Sequence, residues 1–512
     1  MTAVTSVARQ GRRGRPARVL RLEIRRSVVP WAIPLIAALY FFDVYRTAAG
    51  DPPMWNVRAA EVTNHMLFDF SAFAAGLGAW VGSREGRRKT GDLVATTARP
   101  AWARQATALT ATLFWLVLAF LAGVAVIYVQ TALQATWGGP PLWPVAVGVA
   151  GVVTACVIGF TAGVLFPGRF TAPLVAVGVL VLSMIGFHAA LGETRSDTYG
   201  LLSPATSAPA NDYGIFYHML PDVAIAQLMF MGGLTVAMIG LLTLAPVLDL
   251  SHRDWISAVG HAGRRLCVTG VALLAAGVAA AWTAFALTGT AQRGVAGWDI
   301  PALHDAASDA PVAYTPDCTG TAFKVCVHPA FGGYLSHVAS ALDPVAAEIA
   351  GLPGAPVGAQ EVASGNVFGQ SPASPITGNP PMFTFTSDNV GNLIGTFAGS
   401  PADATGAVWN NGFQQGLLDA FVTGQSRALF AGDPTNPAQQ AVVSALLTAI
   451  GSPAPQFGQA TGPNGQPTGP SATKIAAAAQ RFAALSPAAR HAWLDANLPA
   501  LRAGHITLAQ LP

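Results

Sequence analysis

The sequence predicts an all-α polytopic membrane protein of seven spans, followed by a mostly helical domain on the far side of the membrane. Three observations predict it. Apolar residues fill 52% of the 512 positions and charged residues only 10%, which is more apolar surface than a soluble core of this length buries. Seven apolar runs approach or exceed the roughly 18 to 20 residues that cross a hydrocarbon layer of about 30 Å. After the last run, the chain from 289 to 512 changes abruptly to Gly, Pro, Ala, Ser and Asn.

Taken in order, residues 1–27 form a basic N-terminal segment. Its first part, 1–15, is Gly-rich and expected to lack fixed structure. From Arg15 to Ser27, Val19, Leu20, Leu22 and Ile24 interleave with Arg18, Arg21, Arg25 and Arg26. A helix there has one apolar and one cationic side and suits a membrane surface; the plainer alternative is an orientation signal without structure. The spans are read at 28–44, 67–83, 106–130, 144–166, 172–191, 223–248 and 266–288. Arg46 and the lack of an A-x-A site make the first an uncleaved anchor rather than a secretory signal.

Charge orients these spans. Of the 28 Lys and Arg residues, eight lie in 1–27, six in 83–105, one at Arg169 and three in 249–265. These are the four segments that a cytoplasmic N-terminus leaves inside, and short Lys/Arg-rich loops stay on the cytoplasmic side. The C-terminal part is therefore expected to be extracytoplasmic. Trp55, Trp137, Tyr199, Tyr213 and Tyr217 fall in the opposite loops, as aromatics at the headgroup level do. Cys156 and Cys267 lie inside spans, where a thiol is a small core residue. Cys318 and Cys326, in YTPDCTGTAFKVCVHP, lie in the exported part, and their short separation favours a disulfide over a metal pair.

The exported part divides into a domain at 289–450, a Gly/Pro linker at 451–472 and a helical segment at 473–512. YLSHVASALDPVAAEIAGL reads as helices interrupted at Pro344 and stopped by Gly351 and Pro353. PMFTFTSDNV alternates Phe383 and Phe385 with Thr384 and Thr386, a strand signal. GAVWNNGFQQGLLDAFVTG and NPAQQAVVSALLTAIGS read as helices, as does a terminal pair whose second member has Ser486 as N-cap and Pro487 in its first turn.

Chemistry-bearing motifs are few. GRRKTG does not meet the phosphate-loop pattern, and GxSxG, HExxH and paired CxxC are missing, so the chain is not read as an enzyme and no cofactor or metal is expected. Asp43 and Asp69 are the acids within apolar runs, but both sit at span ends where they reach water, as does His188. His328 and His337 are a weak metal pair without a third ligand.

The loop SREGRRKTGDLVATTARPAWARQ is more informative. It starts with charge, passes through a short helical piece at Thr90 to Thr97, breaks at Pro100 and re-enters a span through Trp102 and Arg104. A loop that only orients the chain needs no such apolar-polar surface, so it reads as a docking element. It resembles the cytoplasmic loop between the second and third spans of permease subunits in ABC-type exporters of the type-2 class. Glu85, Gly86, Gly91, Asp92, Leu93, Ala95, Thr96 and Arg99 carry the match, flanked by Arg87 and Arg88. Members of that family also begin with a basic amphipathic helix. The resemblance covers residues 15–250. It implies a six-span permease core with both ends inside, from which the seventh apolar run and exported C-terminal domain read here depart, an ATPase on another chain docked under the loop, and a second permease subunit, identical or related, around one pathway through the bilayer. No nucleic-acid partner is expected. The tail, with CVHPAFGGYLSHVASALDP and HAWLDANLPALRAGHITLAQLP, is similar to tails on permease-like proteins of high-GC actinobacteria. The competing reading is a membrane-anchored receptor or assembly protein whose exported domain binds a ligand or partner.

Overall fold

The computed structural model describes residues 15–46, 53–88, 101–190, 198–203, 215–248, 261–294, 296–363, 376–386, 407–424, 436–453 and 470–512. Each of the seven apolar runs coincides with a helix. After α1 (Arg15–Arg26), the runs become α2 (Val29–Leu39, continued by a π-helical turn at Tyr40–Tyr45), α3 (Trp55–Gly82), α5 (Ala101–Gln134), α6 (Trp143–Leu165), α7 (Thr171–Ala190), α9 (Asp222–Leu248) and α10 (His261–Thr288). Short helices α4 (Arg84–Arg87) and α8 (Thr198–Leu202) sit in the connections.

Among the described residues, four of these helices are long and apolar enough to cross a membrane, namely α5, α6, α9 and α10. A fifth span arises if α1 and α2, which meet at a 51° bend, are taken together. This is fewer than the seven spans expected. Among the described residues, α3 contributes the shorter apolar stretch Phe70–Gly82 and α7 the stretch Thr171–Gly186. Leu174, Val177, Val181 and Ile185 of α7 and Val268, Val271, Val278 and Trp282 of α10 are exposed, a lateral apolar belt that needs lipid or protein cover.

Small residues set the helix packing. Gly78 and Gly82 of α3 lie against the backbone of Cys156 and Phe160, while Gly159 and Gly163 of α6 lie against the carbonyls of Ala75 and Ala79. Two GxxxG stripes thus face each other in parallel, which lets backbones approach where burial in lipid offers no hydrophobic gain. In the antiparallel pair α9 and α10, Gly233 meets Gly277 and Ala281, and Gly240 meets Gly270 and Leu274. Thr154 of α6 ties these groups together, its hydroxyl 2.9 Å from that of Thr235 and 3.1 Å from the carbonyl of Met231.

The C-terminal domain corrects the all-α expectation. It contains a five-stranded mixed sheet of β3 (Asp317–Thr319), β4 (Lys324–Val327), β5 (Gly358–Val362), β6 (Ile376–Thr377) and β7 (Met382–Thr386), in the order β3-β4-β5-β7-β6. A separate two-stranded ribbon, β1 (Gln292–Arg293) with β2 (Trp298–Asp299), follows α10. Strands β3 and β4 form an antiparallel hairpin, and β4, β5 and β7 run parallel, so the link from β4 to β5 must cross over, which it does through helix α11 (Leu335–Ile349). Cys318 and Cys326 are direct cross-strand partners in the hairpin and form a disulfide with Cα atoms 4.1 Å apart. Only β7 carries the alternation expected of a strand. The buried residues Val325, Cys326 and Val327 of β4 form a continuous run, as in strands covered on both faces.

Helix α11 runs unbroken through Pro344, contrary to the interruption expected there. The proline removes one hydrogen bond, but Leu342 and Val345 on either side of it are fully buried and hold the turn in place. Gly351, at φ +78°, follows its end as anticipated. Helices α12 (Ala407–Thr423), α13 (Pro437–Ala449), α14 (Ala472–Ala483) and α15 (Pro487–Arg502) complete the domain around one core with Phe331, Leu342, Phe385, Phe421, Leu446 and Phe482. Ser486 caps α15 by accepting from the Ala489 N–H. Buried Arg490 then locks α15 to α11, with Nε and Nη2 each 2.8 Å from Glu348 Oε1 and Nη1 donating to the carbonyls of Ala483 and Leu485. Residues 1–14 and the linker positions 454–469 lie outside the described residues.

Candidate functional site

The bundle has two ends with different chemistry. At the end far from the C-terminal domain, α1, α4 and the start of α5 meet. Arg84 and Glu85, adjacent in sequence, reach in two directions. Arg84 Nη1 lies 2.9 Å from Glu23 Oε1 on α1. Glu85 Oε1 lies 3.4 Å from Arg104 Nε on α5. The indole N–H of Trp115 on α5 donates to the Ile24 carbonyl at 2.8 Å, so the end of α1 is fixed to α5 as well. Arg87 folds back over the Trp80 ring, 3.6 Å from its centroid, and donates to the Trp80 carbonyl at 2.8 Å. A side chain on Gly86 would collide with Pro167 in the α6–α7 connection. Four elements therefore converge on residues 84–87.

Between them is a cavity of about 450 Å³ whose polar wall is Arg26, Arg84, Arg87 and Arg88 with Glu23 as the acid. The cavity can receive an anionic group. Of the residues read as a docking loop, Glu85, Gly86, Arg87 and Arg88 stand at this convergence; Gly91, Asp92, Leu93, Thr96 and Arg99 lie outside the described residues. The partnership of Glu23 with Arg84 has no spacing motif, since 61 residues separate them. The basic, amphipathic character of 15–27 was its available signal.

At the opposite end, the connections between helices dock on the domain. Thr136 donates to the Pro329 carbonyl at 2.7 Å, and the Val312 N–H donates to the Phe216 carbonyl at 2.8 Å. His328, fully buried, sits at the centre of this contact. Its ring is 4.3 Å from that of Tyr314, 5.0 Å from Trp137 and 5.1 Å from Phe216, centroid to centroid. Its backbone N–H donates to buried Glu361 at 2.6 Å, and its Nδ1 accepts from the Ala330 N–H at 3.1 Å. That bond needs a lone pair on Nδ1, and burial, only partly opposed by the Ile215 backbone, pushes the imidazole down to about 4. Burial, followed by the charge of Glu361, raises the Tyr314 phenol.

His328 is thus a neutral structural group, and His337 is exposed on α11, so the structure does not bring the two together as a metal pair. Trp137 and Tyr217, expected at a headgroup level, pack against the domain core. Beside them opens a cleft of about 520 Å³ walled by Trp55, Trp137, Trp143 and Tyr217, shaped for an apolar body. The side chains of Asp43, Asp69 and His188 lie outside the described residues. Comparison of the chain with protein-family models, with curated proteins and with solved structures gives no match.

Proposed function

We propose that the chain is the membrane permease subunit of an ATP-driven exporter of the ABC type, powered by an ATPase on a separate chain and working beside a second permease subunit. In this reading the bundle makes seven spans, the N-terminus is cytoplasmic, and the C-terminal domain stands on the extracytoplasmic side. The observation that carries it is the convergence at residues 84–87. An ATPase docked under 83–105 would push on a loop whose base is tied to α1 through Glu23, to α5 through Arg104 and against the α6–α7 connection at Pro167. Exposed ion pairs of this kind are worth about 0.2 to 1 kcal/mol each, so they serve alignment more than stability. Displacement of α1 would reach α2 through the 51° bend between them, a hinge-like route from a surface helix to a span.

The test is purification of the tagged chain from its native membranes, with mass spectrometry of what accompanies it. A co-purifying ATPase with a phosphate loop is expected. Replacing Asp92 and Leu93 with Ala leaves the six basic residues of 83–105 in place, so insertion should be normal. Loss of an apolar anchor and a charge partner should lower recovery of the ATPase about tenfold. Unchanged recovery, or no ATPase at all, would put the receptor reading in its place.

A further inference from the structure

A second polar cluster lies where α9 begins and α10 has just ended. Asp222, in the first turn of α9, has its side chain 1% exposed. Its Oδ2 accepts from the Ile300 N–H at 2.9 Å and lies 3.2 Å from His304 Nδ1. Asp299 Oδ1 is 3.7 Å from the same nitrogen, and Asp309 Oδ2 is 3.2 Å from His304 Nε2. One ligand atom each of Asp299, His304 and Asp309 falls within 4.8 Å of the other two. The second observation concerns the oxygens left over: Oδ1 of Asp222, Oδ1 of Asp299 and Oδ1 of Asp309 are all buried without a hydrogen-bond partner. Gly294 leaves room for this arrangement, since a Cβ there would collide with the Asp299 carboxylate.

Three carboxylates surround an imidazole that can carry at most one positive charge. Buried carboxylate oxygens without partners are unfavourable, and a divalent cation is the group that satisfies several of them at once. We infer that Asp299, His304 and Asp309 bind a divalent metal ion of the zinc or manganese kind, with Asp222 orienting the histidine ring from beneath. The donor set favours such an ion over calcium, which takes six to eight oxygens, because imidazole with carboxylates suits zinc and its neighbours. Asp222, by accepting from Nδ1–H, turns the Nε2 lone pair toward the ion, with Asp309 Oδ2, 3.2 Å from Nε2, as the neighbouring ligand, the usual carboxylate–histidine–metal order. The bound ion would clamp the first turn of α9 to the segment that follows α10. This inference is independent of ATPase docking.

The test uses the full-length chain in detergent, purified without a histidine tag, stripped with EDTA, equilibrated with Zn²⁺ and measured by elemental mass spectrometry and calorimetric titration. About one Zn²⁺ per chain is expected, with a rise in the thermal unfolding midpoint. The D299N/D309N double variant should bind at least a hundredfold more weakly and show no rise, while D222N should weaken binding about 10- to 100-fold as an orienting group does. Asp309 is one-third exposed, so D309N alone is a conservative variant should the others fold poorly, and it should lose at least tenfold. A wild-type chain that takes up no Zn²⁺ when equilibrated after stripping, or a D309N variant that binds it as tightly as wild type, would overturn the site.

Discussion

The guanidinium of Arg84 stands 2.9 Å from the carboxylate of Glu23, joining elements 61 residues apart and next door to a second pair of opposite sense, Glu85 with Arg104. If this link transmits work, Glu23→Lys or Arg84→Glu should each lower ATP turnover of the membrane complex several-fold while changing unfolding stability by no more than about 1 kcal/mol. The swapped double variant should recover most of the turnover. Turnover that ignores all three variants would show that the pair only decorates the surface.

Two neighbouring glycines should behave in opposite ways. Gly233 faces the α10 backbone at Gly277 and Ala281, whereas Gly232 has open space around it. Gly233→Ala should destabilise by about 1 to 3 kcal/mol through overpacking. Gly232→Ala should be neutral or stabilising by up to about 1 kcal/mol through helix propensity. Thermal unfolding of the two variants in one detergent reads the difference directly.

Stability of the C-terminal domain should fall as pH drops from about 6.5 to about 4. Burial holds His328 down at about 4 in the fold, against an ordinary value of 6.5, so in this window the unfolded chain binds more protons and acidification favours it over the fold. The loss should total on the order of 2 to 3 kcal/mol and then level off for this group. His328→Asn, whose side-chain oxygen can still accept from Ala330, should flatten that part of the pH profile of denaturant unfolding.

Orientation is checked by fusing a reporter active only outside the cytoplasm after Pro512. Activity is expected, together with an oxidised Cys318–Cys326 pair in non-reduced protein. Disrupting that pair should cost about 2 to 3 kcal/mol, since the loop it closes is short. A silent fusion would reverse the proposed topology.

Features written in consecutive residues were legible and features assembled from distant ones were not. The apolar runs, the Ser486–Pro487 cap and the Phe383/Phe385 strand each depend on local pattern. The strands β3 to β6 are two to five residues long, too short to display a period before a neighbour supplies their hydrogen bonds. Gly78/Gly82 and Gly159/Gly163 are visible as stripes, but which stripe meets which is settled by packing. His328 and His337 drew attention by sequence proximity, while Asp222 and His304, 82 residues apart, share no spacing that could announce them.

The core of the C-terminal domain is completed by residues that belong to the helix bundle: Met54, Val57, Ile215 and Phe216 are buried members of it, and Trp137 packs against them. The domain therefore has no free-standing edge on that side. Cut loose at residue 289, it would leave the His328 ring exposed on the side where Phe216 and Trp137 now pack against it. A secreted fragment beginning there should be sticky and short-lived, and the natural dissection of this protein for expression is into loops plus domain together, or not at all.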